Sequence, residues 1–304
     1  MIWKKLGLIF EYTPELIGTK SHCQHPCPVF INGNIYRVYF GSRDENSNTL
    51  IFYFDININT LEIVDFTKWP ILLNGPLGYF DSNGVYPSCV IKKNDEFLMY
   101  TLGFTRGESP LYFTRIGLAK SLDGINFSKY SQAPLLNTSE NDPCTVTGPF
   151  VMFDNDIYRM WYVSGYKWEK NPNGDLQSYY HIKYAESKDG IEWKREGLVS
   201  IAHYHQGETN IARPWILKED GIYKAWFSYN CGKQEYRIGY GESTDGGYIF
   251  NRMDHLVGIT VSDAPWENEA VAYPAVIVYK GKKYIFYNGN KFGKKGIALA
   301  IEGQ

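Results

Sequence analysis

The stretch PFVMFDNDIYRMWYVSG, from Pro149 to Gly165, decides the fold because four other stretches of the chain repeat its pattern. Each begins with a proline and a short apolar run, passes through a polar turn and ends in an aromatic-rich run. The other four are PCPVFINGNIYRVYFGSR from Pro26, PSCVIKKNDEFLMYTLG from Pro87, PWILKEDGIYKAWFSYN from Pro214 and PAVIVYKGKKYIFYNGN from Pro274. The five lead prolines are 61, 62, 65 and 60 residues apart. Such a period is typical of repeat architectures and predicts five units that account for the whole chain.

A second pattern completes each unit. It appears in RIGLAKSLDGINF from Arg115, HIKYAESKDGIEW from His181 and RIGYGESTDGGYIF from Arg237. Apolar and polar residues alternate up to an Asp-Gly pair, and another aromatic-containing run follows, which is a strong hairpin signal. Each unit is therefore predicted to contain four antiparallel strands. Five such units predict an all-β, five-bladed β-propeller that forms a single domain over residues 1–304.

The two ends of the chain are predicted to meet in the last blade. The fifth unit stops after its third strand, Gly296–Glu302. The N-terminal stretch Trp3–Leu8 resembles Trp193–Leu198, which is the fourth strand of the third unit. We therefore expect the N-terminal strand to supply the missing fourth strand and to cover an edge that would otherwise be exposed.

Composition excludes several classes of protein. Of the 304 residues, 44% are hydrophobic, 16% aromatic and 21% charged, which excludes wholesale disorder. With 31 Lys and Arg against 33 Asp and Glu, the net charge of −2 gives no electrostatic signature of nucleic-acid binding. No apolar stretch is long enough to cross a membrane, and the N-terminus does not resemble a signal peptide. Five cysteines without a C-x-x-C pair predict a reduced, cytoplasmic setting and no metal site.

The two faces of the predicted propeller differ in their chemistry. The Asp-Gly turns, Asp123-Gly124, Asp189-Gly190 and Asp245-Gly246, are short and regular, and we interpret them as structural hairpin turns. The segments before the lead prolines, and the loops after the aromatic runs, are irregular and rich in polar and aromatic residues. Because the units are radial, these segments are expected to converge on one mouth, where repeat proteins carry function.

Four carboxylates occupy similar positions before the lead prolines: Asp81 six residues ahead, Asp142 seven, Glu208 six and Glu269 five. Carboxylates that meet at a pocket can perform acid–base or nucleophilic chemistry at an anomeric carbon. We therefore predict Asp81, Glu269 and Glu208 as catalytic residues, and interpret Asp142 as a turn residue. Structural alternatives stay open, namely that Asp81 caps the turn that follows it and that Glu269 forms an ion pair with Arg213.

Further residues on the same face are predicted to hold substrate. Arg213 could bind a carboxylate, a phosphate or a sugar hydroxyl, or serve as a plain ion-pair partner. Aromatic side chains near the mouth could stack on a sugar ring. The predicted substrate-binding residues are His22, Gln24, Arg43, Asp44, Tyr86, Trp168, Arg213, Tyr229, Tyr273, Asn288 and Asn290.

The chain resembles the five-bladed-propeller glycosidases and their relatives, which include invertases, fructosyltransferases, arabinanases, xylosidases and mannoside phosphorylases. More narrowly, it is similar to a bacterial group of glycosidase-like fold associated with surface-polysaccharide genes. The stretches that carry this likeness are Ser21–Gln24, Ser42–Glu45, Phe80–Val85, Ile211–Pro214, Arg237–Tyr240 and Tyr287–Asn290. The resemblance implies a carbohydrate-active enzyme that cleaves or transfers a glycosidic bond.

The chain also departs from these glycosidases, which usually place Asp, Asp and Glu in their first three blades. Asp81 matches the second position. The first blade offers His22 and Gln24 instead, and the third offers Thr145 and Thr147 besides Asp142. The usual set of carboxylates therefore does not carry over residue by residue.

Three functions stay open at this point. The first is a glycoside hydrolase. The second is a glycosyltransferase or phosphorylase, in which Arg213, Arg43 and His22 bind the phosphate of an activated sugar. The third is a non-catalytic glycan-binding or scaffold propeller. The expected partner is a sugar, an oligosaccharide or an activated sugar, with no nucleic acid and no membrane insertion. No cofactor is expected, although a cation in the channel stays possible, and the oligomeric state is left open.

Overall fold

The computed structural model describes residues 1–171, 173–232 and 234–303, and nearly all of their regular structure is β-strand, which confirms the all-β class. The helical pieces are two short turns, Asp254–Leu256 and Asn290–Gly293. The first unit contains β2 (Ser21–Asn32), β3 (Ile35–Arg43), β4 (Thr49–Asn57) and β5 (Glu62–Phe66). The second contains β6 (Gly84–Lys93), β7 (Glu96–Arg106), β8 (Tyr112–Ser121) and β9 (Ser128–Lys129).

The remaining strands follow the same plan. The third unit contains β10 (Thr145–Asp154), β11 (Ile157–Lys170), β12 (Leu176–Ser187) and β13 (Val199–Ile201). The fourth contains β14 (Glu208–Glu219), β15 (Ile222–Cys231), β16 (Arg237–Ser243) and β17 (Asn251–Arg252). The fifth contains β18 (Ala272–Tyr279), β19 (Lys282–Asn288), β20 (Gly296–Glu302) and the N-terminal β1 (Trp3–Glu11). In the described part of the chain, no helix is long and apolar enough to cross a membrane.

Strand pairing within each unit is antiparallel, and the units assemble into three hydrogen-bonded sheets. Units one and two share an eight-stranded sheet through a single parallel bridge between Thr49 and Gly84. Units three and four are joined in the same way by Tyr180 and Asn210. Unit five forms a separate four-stranded sheet. The first strands of the units also contact one another in the order β2, β6, β10, β14, β18 and back to β2, so these five strands form a ring.

The N-terminal strand completes the fifth unit, as predicted. β1 pairs antiparallel with β20 from Trp3–Glu302 to Glu11–Gly296. The Trp3 indole N–H donates to the carbonyl of Val257 at 2.7 Å. Lys5 forms an ion pair of 2.9 Å with Glu267, a side chain that is almost fully buried. The first and last parts of the chain are therefore tied together by backbone and side-chain bonds.

The Asp-Gly turns connect neighbouring units, which agrees with their interpretation as structural. In the second unit, Asp123 Oδ1 accepts hydrogen bonds from the backbone N–H groups of Ile125 and Asn126, both at 2.8 Å. These bonds to the charged carboxylate hold the pKa of Asp123 below its usual value. The carbonyl of Gly124 accepts a bond of 2.7 Å from the hydroxyl of Tyr39 in the first unit.

The same connection recurs further along the chain. The hydroxyl of Tyr100 in unit two donates to Gly190 of unit three at 2.9 Å, and the indole of Trp161 in unit three donates to Gly247 of unit four at 2.7 Å. An aromatic residue from the second strand of one unit therefore holds the turn of the next unit. These buried polar atoms are paired, and the rings fill the core between the sheets.

A bulge recurs in the first strand of each unit, at the lead proline. Proline cannot donate to a strand ladder, and the register shifts across the lead proline in four units and directly after it, between Pro87 and Cys89, in the second. In four units the residue before the proline has a positive φ: 59° at His25, 51° at Gly148, 55° at Arg213 and 57° at Tyr273. The bulge re-aims this residue relative to the regular alternation of the strand, and this orientation shapes the site described next.

Candidate functional site

A cavity of about 370 Å³ opens where the five units converge. All five units contribute to its wall, through first, second and third strands and the turn after β19. The lining residues are Gln24, His25, Arg43, Tyr86, Leu102, Phe104, Tyr112, Thr114, Thr145, Thr147, Gly148, Val163, Tyr180, Ala212, Arg213, Asn230, Tyr236, Tyr273 and Phe292. This volume lies within the range of small-molecule sites, and the lining is mainly apolar with a few polar groups, as such sites generally are.

The residue before the lead proline lines the cavity in all five units: His25, Tyr86, Gly148, Arg213 and Tyr273. In four units the bulge turns this position towards the cavity, whereas Tyr86 of the second unit pairs in regular register with Leu102. The repeat thus holds one backbone position of each unit at the cavity and varies the residue there, with tyrosine in two units and glycine in one.

Arg213 is the most deeply buried charged group of the cavity, with only 1% of its surface exposed. Its guanidinium donates to the carbonyl of Pro26 at 2.9 Å and to that of Ser88, so it joins the fourth unit to the first and second. Burial lowers the pKa of Arg213, but a guanidinium still keeps its proton at neutral pH. Within the described part of the chain, no carboxylate forms an ion pair with it. The cavity therefore contains a positive charge that the protein does not neutralise through an ion pair.

Arg43 adds a second positive charge at the end of β3. Its Nη2 donates to Oε1 of Gln24 at 3.0 Å, which orients both side chains. Nε of Arg43 and Nε2 of Gln24 are buried, and neither has a hydrogen-bond partner among the described groups. Because unpaired buried donors are costly, these atoms indicate a ligand with acceptor oxygens.

His25 lies between two tyrosines, with its ring centroid 4.0 Å from that of Tyr273 and 5.1 Å from that of Tyr86. Its backbone N–H donates to Oδ1 of Asn288 at 2.9 Å. Burial lowers the pKa of His25 well below its usual value, and the charges of Arg213 and Arg43 lower it further. The imidazole is therefore neutral at physiological pH.

Aromatic side chains form a further part of the cavity wall. The hydroxyls of Tyr180 and Tyr236 share a hydrogen bond of 2.6 Å, and the rings of Tyr273 and Phe292 lie nearly parallel at 6.5 Å. Burial raises the pKa values of Tyr180, Tyr236 and Tyr273. These tyrosines therefore stay protonated, offering hydroxyl hydrogen bonds together with flat apolar faces.

The structure does not bring the three predicted catalytic carboxylates together at this cavity. Asp81 is 1% exposed and pairs with Lys129 at 2.5 Å. Glu208 is buried against Arg252 at 2.7 Å and accepts backbone bonds from Tyr204 and His205.

The two remaining carboxylates also lie outside the cavity. Glu269 is exposed, and its carbonyl accepts a bond of 2.7 Å from Arg237. Among the described ion pairs, Glu269 has none with Arg213, so the structure does not show the bridge considered as its alternative role. Asp142 is fully buried and pairs with Arg195 at 2.9 Å. In the described part of the chain, no Asp or Glu lines the cavity.

Five of the predicted substrate-binding residues line the cavity, namely Gln24, Arg43, Tyr86, Arg213 and Tyr273. Two others lie directly behind it. Asn288 holds the backbone of His25 and donates to the carbonyls of Cys23 and Gly296, both at 2.8 Å. Trp168 packs its ring edge against Tyr112, a lining residue, at 4.9 Å.

The other four predicted residues serve local structure. Nδ1 of His22 lies 2.7 Å from Ser21 Oγ, and burial, with help from the charge of Arg43, lowers the pKa of His22 to about 4. Asp44 accepts the backbone N–H groups of the loop that follows it. Tyr229 stacks on the ring of His205 at 5.0 Å. Asn290 accepts the backbone N–H groups of residues 269 and 270.

Sequence reasoning did not select several lining residues. His25 was missed because the predicted catalytic residues were carboxylates, which lie five to seven residues before four of the lead prolines. No motif marks the other wall residues: Tyr112 and Tyr180 lie on third strands, Tyr236 directly before β16, and Phe292 on the turn after β19. As for metals, no group of three or more His, Cys, Asp or Glu side chains within residues 1–171, 173–232 and 234–303 could hold an ion.

Comparison with solved structures shows the fold. A glycoside hydrolase matches with a TM-score of 0.76 at 19% identity, covering 99% of this chain and 91% of that chain. A thermostable family-43 glycoside hydrolase matches with a TM-score of 0.67 at 16% identity, covering 94% of this chain and 90% of the other. A structure from the GH130 family of mannoside phosphorylases matches with a TM-score of 0.66 at 12% identity, covering 94% of this chain and 85% of the other. The chain therefore has the propeller-like fold of these carbohydrate-active proteins.

Sequence comparison gives two kinds of relative, and no family model matches the chain. A 1,2-beta-oligomannan phosphorylase of Thermoanaerobacter is 35% identical over 89 residues, which is 29% of this chain and 27% of the phosphorylase. The uncharacterized protein Rv1502 of Mycobacterium tuberculosis is 32% identical over 303 residues, or 99% of each chain. A likeness of this extent shows that the chain belongs to the same family as the Rv1502 protein.

Proposed function

We propose that this protein is a carbohydrate-active enzyme that transfers a glycosyl group to or from phosphate. The single observation that carries the proposal is the charge of the cavity. Arg43 and the buried Arg213 line it, whereas no described carboxylate does. A sugar phosphate supplies the negative charge that these guanidiniums lack, and its oxygens suit their donors.

Hydrolysis is the less favoured chemistry. Most glycoside hydrolases need two carboxyl groups that flank the scissile bond. Here Asp81 and Glu208 are already neutralised by Lys129 and Arg252, and they lie outside the cavity. Phosphate as leaving group or nucleophile needs no carboxylate partner, because positive charge stabilises it directly.

The lining residues can be assigned roles in transfer from a sugar 1-phosphate. The bond between the anomeric carbon and the phosphate oxygen breaks, and its electron pair stays on phosphate, where Arg43 and Arg213 stabilise it. The acceptor hydroxyl bonds to the anomeric carbon, and its proton passes to an oxygen of the departing phosphate, because the low pKa of His25 makes the imidazole a weak base. The reverse sequence is phosphorolysis.

Mannose is the first sugar to test, because one relative is a 1,2-beta-oligomannan phosphorylase and one structural neighbour comes from a family of mannoside phosphorylases. We also propose that the five units are the blades of a five-bladed propeller, which the ring of first strands supports. A role in bacterial surface-polysaccharide metabolism and a cytoplasmic location stay predictions from sequence.

The test is calorimetric titration with mannose 1-phosphate, glucose 1-phosphate, inorganic phosphate and β-1,2-mannobiose. We expect the phosphorylated ligands to bind the wild type and to lose at least about tenfold in affinity in Arg43→Met. Arg106→Met is the matched control, since Arg106 is exposed, donates a side-chain hydrogen bond to the carbonyl of Asn46 and is not among the described lining residues. Binding of mannobiose alone would contradict the proposal and favour hydrolysis.

A second candidate function is non-catalytic glycan binding, which the carboxylate-free lining also favours. Turnover distinguishes the two. Phosphorus NMR of mannose 1-phosphate with a mannoside acceptor should show release of inorganic phosphate if the protein is a transferase. Ligand binding without phosphate release over long incubation would support the glycan-binding function instead.

A further inference from the structure

The ring of residues before the lead prolines has one gap. Four units place a side chain there, namely His25, Tyr86, Arg213 and Tyr273, whereas the third unit places Gly148. A carbon built as Cβ on Gly148 would lie 3.4 Å from Cγ2 of Val163 and 3.9 Å from the backbone nitrogen of Arg213, both ordinary contact distances. The cavity therefore has a notch at unit three that a small substituent of a ligand can enter.

The notch combines apolar walls with one free hydroxyl. Val163, which is 1% exposed, flanks it, and Ala212, the residue before Arg213, lines the cavity. Oγ1 of Thr147 is buried and has no hydrogen-bond partner among the described groups. By contrast, the hydroxyl of the nearby Thr145 is bonded to Thr114. A group that fits this notch needs an oxygen for the Thr147 hydroxyl and an apolar end for Val163 and Ala212.

We propose that the notch at Gly148 binds an acyl substituent of the ligand sugar, in the simplest case an acetamido group. The carbonyl oxygen accepts the hydrogen bond of Thr147, and the methyl group packs on Val163 and Ala212. The inference rests on the proposed binding of a sugar phosphate, which it narrows to an acylated amino sugar. An unsubstituted hydroxyl at the same position would leave the apolar walls without contacts and so gain less on binding.

Two variants test the notch without disturbing the fold. Gly148→Ala places a methyl group in the notch. The φ of 51° at Gly148 is close to those of His25, Arg213 and Tyr273 in the matching position of other units, so this backbone accepts side chains. Thr147→Val removes the hydroxyl and keeps the shape of the side chain. A thermal melt of each variant, compared with the wild type, checks that it is folded.

The experiment is calorimetric titration with matched pairs of 1-phosphates, N-acetylglucosamine with glucose, N-acetylgalactosamine with galactose, and N-acetylmannosamine with mannose. We expect at least one acetamido sugar to bind about tenfold or more tightly than its parent. In both Gly148→Ala and Thr147→Val, that ratio should fall towards one. Equal binding within every pair, or a ratio that survives both variants, would overturn the inference.

A second set of ligands separates this inference from the proposed function. Saturation-transfer NMR with the unphosphorylated sugars reports on the notch alone. One outcome is that no sugar 1-phosphate binds, whereas a free N-acetyl sugar gives its strongest signal at the acetyl methyl and Gly148→Ala removes that signal. This outcome would support acyl binding in the notch and contradict the proposed binding of phosphate. If sugar 1-phosphates bind without any preference for acetyl, the phosphate proposal stands and the notch fails.

Discussion

The two faces of this molecule use the same repeat in opposite ways. At the Asp-Gly turns, successive units repeat both the backbone and the chemistry, since Gly124, Gly190 and Gly247 each accept a bond from an aromatic residue of the preceding unit. At the position before each lead proline, the units carry His, Tyr, Gly, Arg and Tyr in turn, although all five have a register shift at or next to the proline. Architecture therefore comes from what the units share, and the candidate site comes from where they differ.

The largest expected loss of stability comes from removing one of the contacts between an aromatic residue and the turn of the next unit. Trp161 is fully buried, and its indole holds the turn at Gly247. We predict that Trp161→Ala lowers the free energy of unfolding by about 3–5 kcal/mol, because it creates a cavity and removes the shorter of two hydrogen bonds to the Gly247 carbonyl, the other coming from Ser200. Urea denaturation measures this loss. Trp168→Ala, which truncates a half-buried tryptophan near the cavity mouth, is the control and should cost clearly less.

Substitution of a buried carboxylate tests whether it serves structure or catalysis. Glu208 and Asp254 both pair with the buried side chain of Arg252, so Glu208→Gln should lower the free energy of unfolding by about 1–3 kcal/mol, since Arg252 loses one of its two carboxylate partners. Urea denaturation measures this loss, and titration calorimetry on the folded fraction should show unchanged ligand affinity. A stable Glu208→Gln variant that has lost turnover would instead return this residue to catalysis.

A partly buried histidine, His181, should make the stability of the protein depend on pH. Burial, together with the charge of Lys183, lowers the pKa of His181 to about 4, below its ordinary value of 6.5. Below pH 6.5 the unfolded chain binds a proton that the folded chain does not, so stability falls as the pH drops from 6.5 towards 4. We predict that His181→Gln removes about 1–2 kcal/mol of this loss at pH 5. Urea denaturation of both proteins at pH 7 and pH 5 measures it, and equal pH slopes would contradict it.

The smallest expected loss of stability comes from a glycine-to-alanine substitution, which can be compared between the two faces. A Cβ on Gly124 would lie 3.0 Å from the hydroxyl of Tyr39 and 3.1 Å from the ring of Phe97, with φ at +70°. Gly124→Ala should therefore cost about 1–2 kcal/mol, through left-handed strain and crowding. Gly148→Ala, whose Cβ meets only ordinary contacts, should cost less. Thermal denaturation of the two variants side by side measures the difference, and equal losses would argue against an open notch.

Sequence patterns predicted the fold better than the site. The lead prolines and Asp-Gly pairs mark strands and turns through local rules, so the four-stranded units and the pairing of β1 with β20 could be predicted. Arg43 and Arg213, two of the predicted substrate-binding residues, line the cavity. The neutralisation of Asp81 by Lys129, 48 residues away, depends on packing that no local pattern records. The same holds for His25, whose orientation depends on the bulge and on Asn288.

The most direct test of the central claim is a crystal structure with a bound hexose 1-phosphate. We predict phosphate oxygens within about 2.7–2.9 Å of guanidinium nitrogens of Arg43 and Arg213, with the sugar ring against the tyrosine wall. A phosphate bound elsewhere would contradict this account. So would a neutral oligosaccharide in the cavity with Asp81 or Glu208 moved to its anomeric carbon, since that geometry belongs to a hydrolase.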